Sequence, residues 1–314
     1  MSNAMELAPP ALEAAALSYQ YRGGGEALRN ITFAIPRGAF VGLLGPIGAG
    51  KTTLLECCTG LRQIRHGVLE VDGTSLAGRT RHLLPGVAFV SASVDLPASE
   101  RLGDLLTWFA STRPGWDGAL AQSLAVEFDL PLERPIRVLS RGQQSLVAVL
   151  CAIAVRPHVL LLDEPFPGLD VAMREAVMRR LLVRVYEDNA TVLVASHDLA
   201  ELEGAADHLL MLERGEIRAC NTLDALQARF RRVRITGDSA GLDRACAAMT
   251  WWDVERSGRV LTGLTAIDTE IQDFGARLEA LAGIARVDIE SLSLRELYLA
   301  IKGAPRDLGM ETHS

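Results

Sequence analysis

The sequence of 314 residues lacks an apolar run long enough to cross a membrane. A transmembrane helix needs about 20 consecutive apolar residues. The longest run here, from Leu146 to Val155, is only about half that length and stops at Arg156. We therefore expect no membrane-spanning segment in this chain.

The chain also has fewer basic than acidic residues. Lys and Arg total 32 residues against 39 for Asp and Glu, which leaves a net charge of −7. Proteins that coat nucleic acid are usually basic, so we expect no direct nucleic-acid partner. With 49% hydrophobic and 23% charged residues, the chain has the composition of a globular protein.

Disulfide and metal-binding patterns are missing from the five cysteines. No pair has Cys-x-x-Cys spacing, and Cys57 and Cys58 lie in an apolar helical stretch where free cysteine behaves as a small buried hydrophobe. The odd number and the lack of a recognisable signal peptide favour a reducing compartment. Residues Met1–Ala4, before Met5, resemble an expression remnant and are excluded from the fold prediction.

The length predicts two domains, at roughly 150 residues each. Strands and helices alternate through the first part of the chain, which predicts an α/β fold with a mostly parallel sheet. The predicted strands are Glu13–Leu17, Ile31–Ile35, Phe40–Leu44, Val68–Val71, Val87–Val90, Val159–Leu162 and Thr191–Ala195. The predicted helices are Thr52–Leu61, Ser140–Val155 and Met173–Tyr186, with helical periodicity also from Arg101 to Phe128.

A different pattern begins after Phe230. Its order is strand-helix-strand-strand-helix-strand, the ferredoxin-like arrangement, with one helix added. The elements are predicted at Arg231–Ile235, Leu242–Met249, Trp252–Arg256, Val260–Leu264, Ile267–Leu281, Ala285–Ile289 and Leu294–Ile301. We therefore predict a first domain at 5–230 and a C-terminal accessory α+β domain at 231–314.

The stretch from Gly45 to Thr52 fits the phosphate-binding pattern G-x-x-x-x-G-K-[ST] and lies between a buried strand and a helix. Glycines let backbone N–H groups approach a phosphate, and the helix N-terminus adds a positive dipole. Lys51 is expected between the β- and γ-phosphates, and the Thr52 hydroxyl on Mg²⁺. The predicted nucleotide-binding residues are Gly45, Pro46, Gly48, Ala49, Gly50, Lys51, Thr52 and Thr53.

Two carboxylates and a histidine follow the buried strands. Asp163 ends one strand, at the tip where α/β proteins bind ligands, so we expect it to reach Mg²⁺ through water. Glu164 is expected to orient and deprotonate the attacking water. His197 follows the next predicted strand and could reach a γ-phosphate oxygen. Lys51, Glu164 and His197 are thus the predicted catalytic residues.

A second helix start carries the segment Leu139–Gln143, here called the Ser140 segment. Ser140 is the predicted N-cap, and a capped helix N-terminus also binds anions. The phosphate loop already serves this chain's own nucleotide. We therefore assign Ser140, Gly142 and Gln143 to a nucleotide held by another subunit.

Taken together, these motifs resemble an ATP-binding cassette (ABC) ATPase over about Glu13 to Phe230. The resemblance implies a P-loop NTPase core with a small antiparallel β part and a helical subdomain at about 93–156. It also implies that Tyr21 stacks on adenine, and that Asp170 belongs to a loop, Gly168-Leu169-Asp170, that crosses a dimer interface. We call these three residues the crossing loop.

The family works as a head-to-tail pair of ATPase domains with two ATP molecules and Mg²⁺ between them. The resemblance implies transmembrane permease subunits as partners, a homodimer or heterodimer of ATPases, and a place on the cytoplasmic, inner face of the cell membrane. The ending Leu294-Arg295-Glu296-Leu297 is similar to ATPase subunits of type-2 exporters. An exporter is therefore the expected direction.

Three positions depart from the family pattern. Arg141 replaces the commoner glycine of the Ser140 segment, and Pro167 replaces the usual Ser before the crossing loop. Ala92 stands near the position of a Gln that normally binds Mg²⁺ and reports to the membrane partner. The missing Gln puts coupling in doubt rather than nucleotide binding. Asp95 and Ser93 are the candidate replacement ligands.

The membrane contact is expected from Arg101–Phe128, where Trp108, Phe109 and Trp116 are either exposed or part of the core. Two other functions remain open: a soluble ABC ATPase acting on DNA or ribosomes, and an ATP-binding regulatory subunit with low turnover. A P-loop GTPase would need an Asn-Lys-x-Asp type motif, and the sequence has none.

Overall fold

The computed structural model of the chain describes residues 9–78, 84–267 and 269–304. It divides into two compact units, the first running to Ile217 and the second starting at Arg218. This division lies before the predicted boundary after Phe230. The guanidinium of Arg218 donates hydrogen bonds to the backbone oxygens of Ile301 and Ala304, at the end of the last helix of the second unit. These bonds connect the first residue of the second unit to its C-terminal helix.

The strands of the first unit are β1 (Leu12–Gln20), β2 (Glu26–Ile35), β3 (Phe40–Leu44), β4 (His66–Val71), β5 (Thr74–Ser75), β6 (Val87–Val90), β7 (Val159–Asp163), β8 (Thr191–Ser196) and β9 (His208–Glu213). Its helices are α1 (Lys51–Cys58), α2 (Leu102–Thr112), α3 (Gly118–Glu127), α4 (Arg141–Ala154) and α5 (Val171–Asp188). Strand β10 (Glu216–Thr222) carries the chain into the second unit. The expected remnant, residues 1–4, and the end of the predicted second domain, 305–314, lie outside the described residues.

Five of these strands form a parallel sheet in the order β9-β3-β8-β7-β6. Strands β3, β7 and β8 are buried along their whole length, as continuous apolar strands are when both faces of a sheet are covered. The register pairs Leu44 with Ser196 and Asp163 with Ala195. The carboxyl ends of the three strands therefore lie side by side, and the loops that follow them start at one edge.

Strand β9 and helix α1 both differ from the prediction. Strand β9 is not among the predicted strands, because a short apolar run such as Leu209–Leu212 does not distinguish a strand from a helix. Helix α1 ends at Cys58 rather than at Leu61, because Gly60 takes a left-handed conformation of the kind that terminates helices.

A smaller antiparallel sheet has the order β2-β1-β4-β5, and Tyr21 directly follows its strand β1. Helices α2, α3 and α4 occupy the stretch predicted as a helical subdomain. Within the described ranges, no helix combines the length and the apolar character needed to span a bilayer.

The second unit continues with α6 (Leu223–Arg229), β11 (Phe230–Gly237), α7 (Ser239–Ala248), β12 (Trp252–Ser257), β13 (Val260–Ala266), α8 (Ile271–Glu279), β14 (Ile284–Glu290) and α9 (Leu294–Gly303). From β11 to β14 this is the predicted ferredoxin-like order, and its antiparallel sheet runs β12-β13-β11-β14. Helix α8 starts later than the predicted Ile267, because the Ile267 N–H donates to Arg229 O and extends the strand pairing. The core includes Val233, Ile235, Leu242, Leu261 and Phe274.

Asp72 links the two sheets of the first unit. It follows β4 and accepts a hydrogen bond from Arg37, which follows β2. Its other oxygen lies 2.8 Å from Nδ1 of His158, just before β7. Burial raises the pKa of Asp72, but the hydrogen bonds with His158 and Arg37 and the charge of Arg37 outweigh it, so the pKa lies below its usual value.

We expect Asp72→Asn to lower the free energy of unfolding at pH 7 by about 1–3 kcal/mol, because a hydrogen-bonded charge is lost. Because the pKa of Asp72 is lower in the folded than in the unfolded state, its carboxylate stabilises the fold at pH values above the ordinary pKa of 3.8. That stabilisation is lost as the pH falls through the pKa of the folded state. Urea unfolding from pH 7 to pH 3 should therefore show the gap between variant and wild type closing. Exposed Asp129→Asn is the control, and an equal loss there would contradict this account.

Candidate nucleotide site

The phosphate loop, Gly45–Gly50, turns sharply between β3 and α1. At Gly45, with φ of +156°, a Cβ would lie 2.3 Å from the backbone oxygen of Leu212, so no other residue fits there without a shift. Gly50 precedes α1 and offers no side-chain cap to the first amides of the helix. Such amides and the helix dipole favour an anion. The Ala49 N–H, in contrast, already donates to Pro46 O at 3.0 Å.

Lys51 folds back over this loop. Its side-chain Nζ donates to Gly45 O at 2.7 Å, and the residue is only 8% exposed. Burial lowers the pKa of Lys51, while the negative charges of Glu164 and Asp163 act in the opposite direction. An ammonium group is thus held in a partly dehydrated position close to two carboxylates, where an anionic ligand would gain most from it.

Asp163 is the last residue of β7 and is 1% exposed. Burial raises the pKa of this carboxyl; a hydrogen bond with the Thr52 side chain opposes the effect and the charge of Glu164 adds to it. Its Oδ2 is buried without a hydrogen-bond partner among the described residues. A buried, unpaired carboxylate oxygen beside a hydroxyl fits a hard cation such as Mg²⁺, which prefers oxygen ligands.

Glu164 and His197 form a pair above the same edge. Oε2 of Glu164 lies 2.7 Å from Nδ1 of His197. Glu164 has a φ of +48°, in the left-handed region that is costly for a residue with a side chain. Its N–H donates to Ala195 O at 3.0 Å, which holds this backbone turn in place. The predicted catalytic residues Lys51, Glu164 and His197 therefore occupy one edge of the sheet.

The Ser140 segment caps α4. The hydroxyl of Ser140 accepts from the Gln143 N–H at 3.1 Å, and the Gln143 side chain accepts from the Ser140 N–H at 3.0 Å. A Cβ on Gly142 would lie 2.4 Å from the backbone oxygen of Gly168. Asp170 caps α5 by accepting from the Met173 N–H at 2.8 Å. The Ser140 segment and the crossing loop thus pack against each other.

Tyr21 lies beside the phosphate-loop helix. Its hydroxyl is 2.9 Å from Oγ1 of Thr53, and the ring of Tyr19 meets it edge-on at 5.1 Å. The guanidinium of Arg62 lies 5.0 Å from the Tyr21 ring centroid and is paired with Glu56. Sequence reasoning missed Arg62, because a single arginine after a helix carries no local signal. A cavity of about 640 Å³ opens at Tyr21 and Arg62 and has room for an aromatic base.

A family model described as ABC transporter matches residues 28–167. The molybdenum import ATP-binding protein ModC of Rhodopseudomonas palustris (strain HaA2) is 33% identical over 228 residues, which cover 67% of this chain and 58% of that protein. The cobalt import ATP-binding protein CbiO of Rhodobacter capsulatus is 33% identical over 221 residues, covering 67% of this chain and 78% of that protein. The chain belongs to the ATP-binding subunits of ABC transporters.

Solved ABC cassettes share the fold. One, described as the ATP-binding subunit of an ABC transporter, has a TM-score of 0.61 and 29% identity, and covers 69% of this chain and 92% of that chain. A dimeric cassette in a post-hydrolysis state, bound to ADP and Pi, has a TM-score of 0.57 and 25% identity, and covers 68% of this chain and 98% of that chain. The predicted α/β class with a P-loop core is thereby confirmed.

The expected exporter direction finds no support among these relatives. The relatives whose names state a transport direction are import proteins, for molybdenum, cobalt or sulfate. This ABC chain also spans only about three fifths of the length of the ModC relative, 58%. The Leu294–Leu297 ending that suggested an exporter lies in the accessory second unit, far along the chain from every nucleotide motif.

The departures of this ABC cassette are exposed: Arg141 begins α4, whereas Pro167 and Ala92 lie in loops. Ala92, Ser93 and Asp95 are exposed after β6, next to the strand that carries Asp163. The Ser93 N–H faces Oγ of Ser91 at 3.4 Å. The loop therefore starts at the correct sheet edge, and whether Ser93 or Asp95 binds Mg²⁺ stays a prediction.

We expect Gly142→Ala to separate the Ser140 segment from the crossing loop, because the added Cβ would overlap Gly168 O. Overpacking of this kind costs about 1–3 kcal/mol. Hydrogen–deuterium exchange should rise at 140–143 and 166–170. Gly118→Ala, at the start of α3 with its nearest neighbour at 3.8 Å, is the control and should leave exchange unchanged. Equal exchange in both variants would show that the contact is not tight.

Proposed function

We propose that this chain is the ATP-hydrolysing subunit of a transporter and drives transport through separately encoded membrane permease subunits. One observation carries the proposal: the phosphate loop, the unpaired oxygen of Asp163 and the Glu164–His197 pair meet at one sheet edge. The post-hydrolysis state of a related cassette, bound to ADP and Pi, supports this reaction class.

Binding depends on the phosphate loop and the residues that follow it. The amides at the start of α1 and the ammonium of Lys51 offset the charge of the β- and γ-phosphates. Thr52 and Asp163 would hold Mg²⁺, which neutralises phosphate charge when bound. Tyr21 offers its ring to adenine, with Arg62 and Thr53 fixing the orientation of that ring.

Hydrolysis depends on the pair above the sheet edge. The carboxylate of Glu164 accepts a proton from the attacking water. Because Nδ1 of His197 faces Glu164, Nε2 is the ring nitrogen left to meet a γ-phosphate oxygen. Lys51 and His197 stabilise the charge that develops on the phosphate oxygens, the main contribution to phosphoryl transfer.

The active form is a head-to-tail dimer of ATPases, as a homodimer or a heterodimer. The Ser140 segment is a helix N-terminus whose cap leaves further amides for an anion, and the crossing loop packs against it. The related cassette described as dimeric supports two such chains in one assembly. Ser140, Gly142, Gln143 and Asp170 would then complete the nucleotide site of the partner ATPase.

The permease contact is an apolar cavity of about 630 Å³. It is lined by β6, the loops before and after it, α2 and α4, and its residues include Phe89, Val94, Phe109 and Cys151. Trp108 beside it is 52% exposed, while Phe109 and Trp116 stack at 5.3 Å. A short helix of a permease would bury these side chains. The chain would then lie peripherally on the cytoplasmic face of the membrane.

A regulatory subunit with low turnover is the second candidate. Ala92 removes an amide ligand, and Pro167 removes a hydroxyl and an N–H before the crossing loop. Both changes affect groups that would connect hydrolysis to the partner subunits. The rate of ATP hydrolysis separates the two functions, because a transport-driving ATPase hydrolyses ATP continuously, whereas a regulatory subunit binds ATP with little turnover.

We expect Lys51→Ala to weaken ATP binding by about 10- to 150-fold, the equivalent of about 1.5–3 kcal/mol for a hydrogen bond to a charged group. Titration with ATP by calorimetry measures this change. Lys302→Ala is the matched control, since Lys302 lies exposed on α9. Wild-type affinity in Lys51→Ala would overturn the phosphate-loop assignment.

We expect Glu164→Gln to keep ATP affinity and to lower kcat by about 10²- to 10⁴-fold, because the amide keeps the shape of the side chain but accepts no proton. With turnover blocked, ATP should trap a dimer that light scattering detects. Glu203→Gln, exposed after β8, is the control and should hydrolyse ATP normally. A wild-type rate in Glu164→Gln would contradict the role of this carboxylate.

A further inference from the structure

Glu201 lies just beyond His197 and is tied to the residue before it. The hydroxyl of Ser196, at the end of β8, donates to Oε2 of Glu201 at 2.5 Å. The Glu201 side chain is only 10% exposed, and burial raises its pKa. The Asp198 N–H in turn faces Oγ of Ser196 at 2.9 Å. His197 thus lies between anchored residues on both sides.

Arg174 on α5 faces this loop. Its Nη1 lies 3.7 Å from Oε1 of Glu201 and 3.9 Å from Oδ2 of Asp198. These distances exceed hydrogen-bond length, so the guanidinium acts here through its charge. The attraction between a buried carboxylate and a nearby cation is stronger than that of an exposed pair, because solvent screens the buried charges less.

The same arginine belongs to the turn that starts from the crossing loop. Its N–H donates to Asp170 O at 3.0 Å, and Asp170 is the N-cap of α5. Gly168 in the crossing loop packs against Gly142. One chain of contacts therefore leads from the crossing loop, through Arg174 and Glu201, to the backbone on both sides of His197.

We propose that Arg174 and Glu201 are positioning residues, which hold His197 against Glu164 and connect it to the crossing loop. A second copy of this chain, or a partner ATPase, that contacts the crossing loop would then fix the first turn of α5 and with it the His197 side chain. Hydrolysis would become efficient only when the two ATPases have closed. The inference rests on the proposed ATPase function and assigns a coupling route within it.

The test uses the full chain with four variants: Glu201→Gln, Arg174→Met, their double mutant, and Arg174→Lys. Glu201→Gln keeps an acceptor for Ser196 but loses the charge. We expect each single change to lower kcat about tenfold while KM and ATP affinity stay within about twofold. The double mutant should be no slower than either single mutant, since both remove one interaction. Arg174→Lys should recover most of the rate, because the contact needs charge rather than a forked geometry.

Dimer closure gives a second readout. In the Glu164→Gln background at saturating ATP, adding Arg174→Met should raise the protein concentration needed for a trapped dimer by about tenfold. Arg179→Met, exposed on the same helix, is the matched control and should change neither kcat nor dimer formation.

The outcomes separate this inference from the proposed function. A wild-type chain without ATPase activity would contradict the proposed function itself. An active wild type with unchanged kcat and dimer formation in Arg174→Met and Glu201→Gln would overturn the positioning role alone. Multiplying losses in the double mutant, or a lowered unfolding midpoint at full kcat, would likewise show that the pair is only structural.

Discussion

The parallel pairing of β3, β7 and β8 is the constraint on which the site depends. Because Leu44 pairs with Ser196 and Asp163 with Ala195, three loops start from neighbouring positions at one edge. A shift of one residue in either pair would turn alternate side chains to the other face of the sheet. The phosphate loop, Asp163 and His197 could then no longer act on one ligand.

Burial of charge is the second physical condition of the site. Lys51 and Asp163 each lose solvation, and the pKa shift of each is in the direction that disfavours its charged form. Their mutual attraction offsets part of this cost. A polyphosphate with a cation would complete the compensation, since it brings negative charge to Lys51 and positive charge to the unpaired oxygen of Asp163. The site is therefore less stable alone than it would be with ligand, as preorganised sites generally are.

Local sequence signals predicted much of the fold and of the site. The continuous apolar strands, the phosphate loop and the Ser140 N-cap all lie where short-range patterns place them. The accessory unit also has its predicted order, because each of its elements has its own apolar period. What sequence reasoning missed is nonlocal: the pairing of β9, the stacking of Arg62 on Tyr21, and the approach of Arg174 to Glu201. Single side chains that meet only after folding leave no periodic trace along the chain.

The burial of Lys51 has a practical consequence for protein chemistry. Lys51 and Lys302 are the lysines of this chain, and all other basic side chains of the Lys/Arg type are arginines. Lys302 lies exposed, whereas Lys51 is 8% exposed and paired with Gly45 O. An amine-selective reagent can therefore react with Lys302 at any time, but with Lys51 only when the phosphate loop has opened. The ratio of the two labels, read by mass spectrometry, reports how long that loop stays closed.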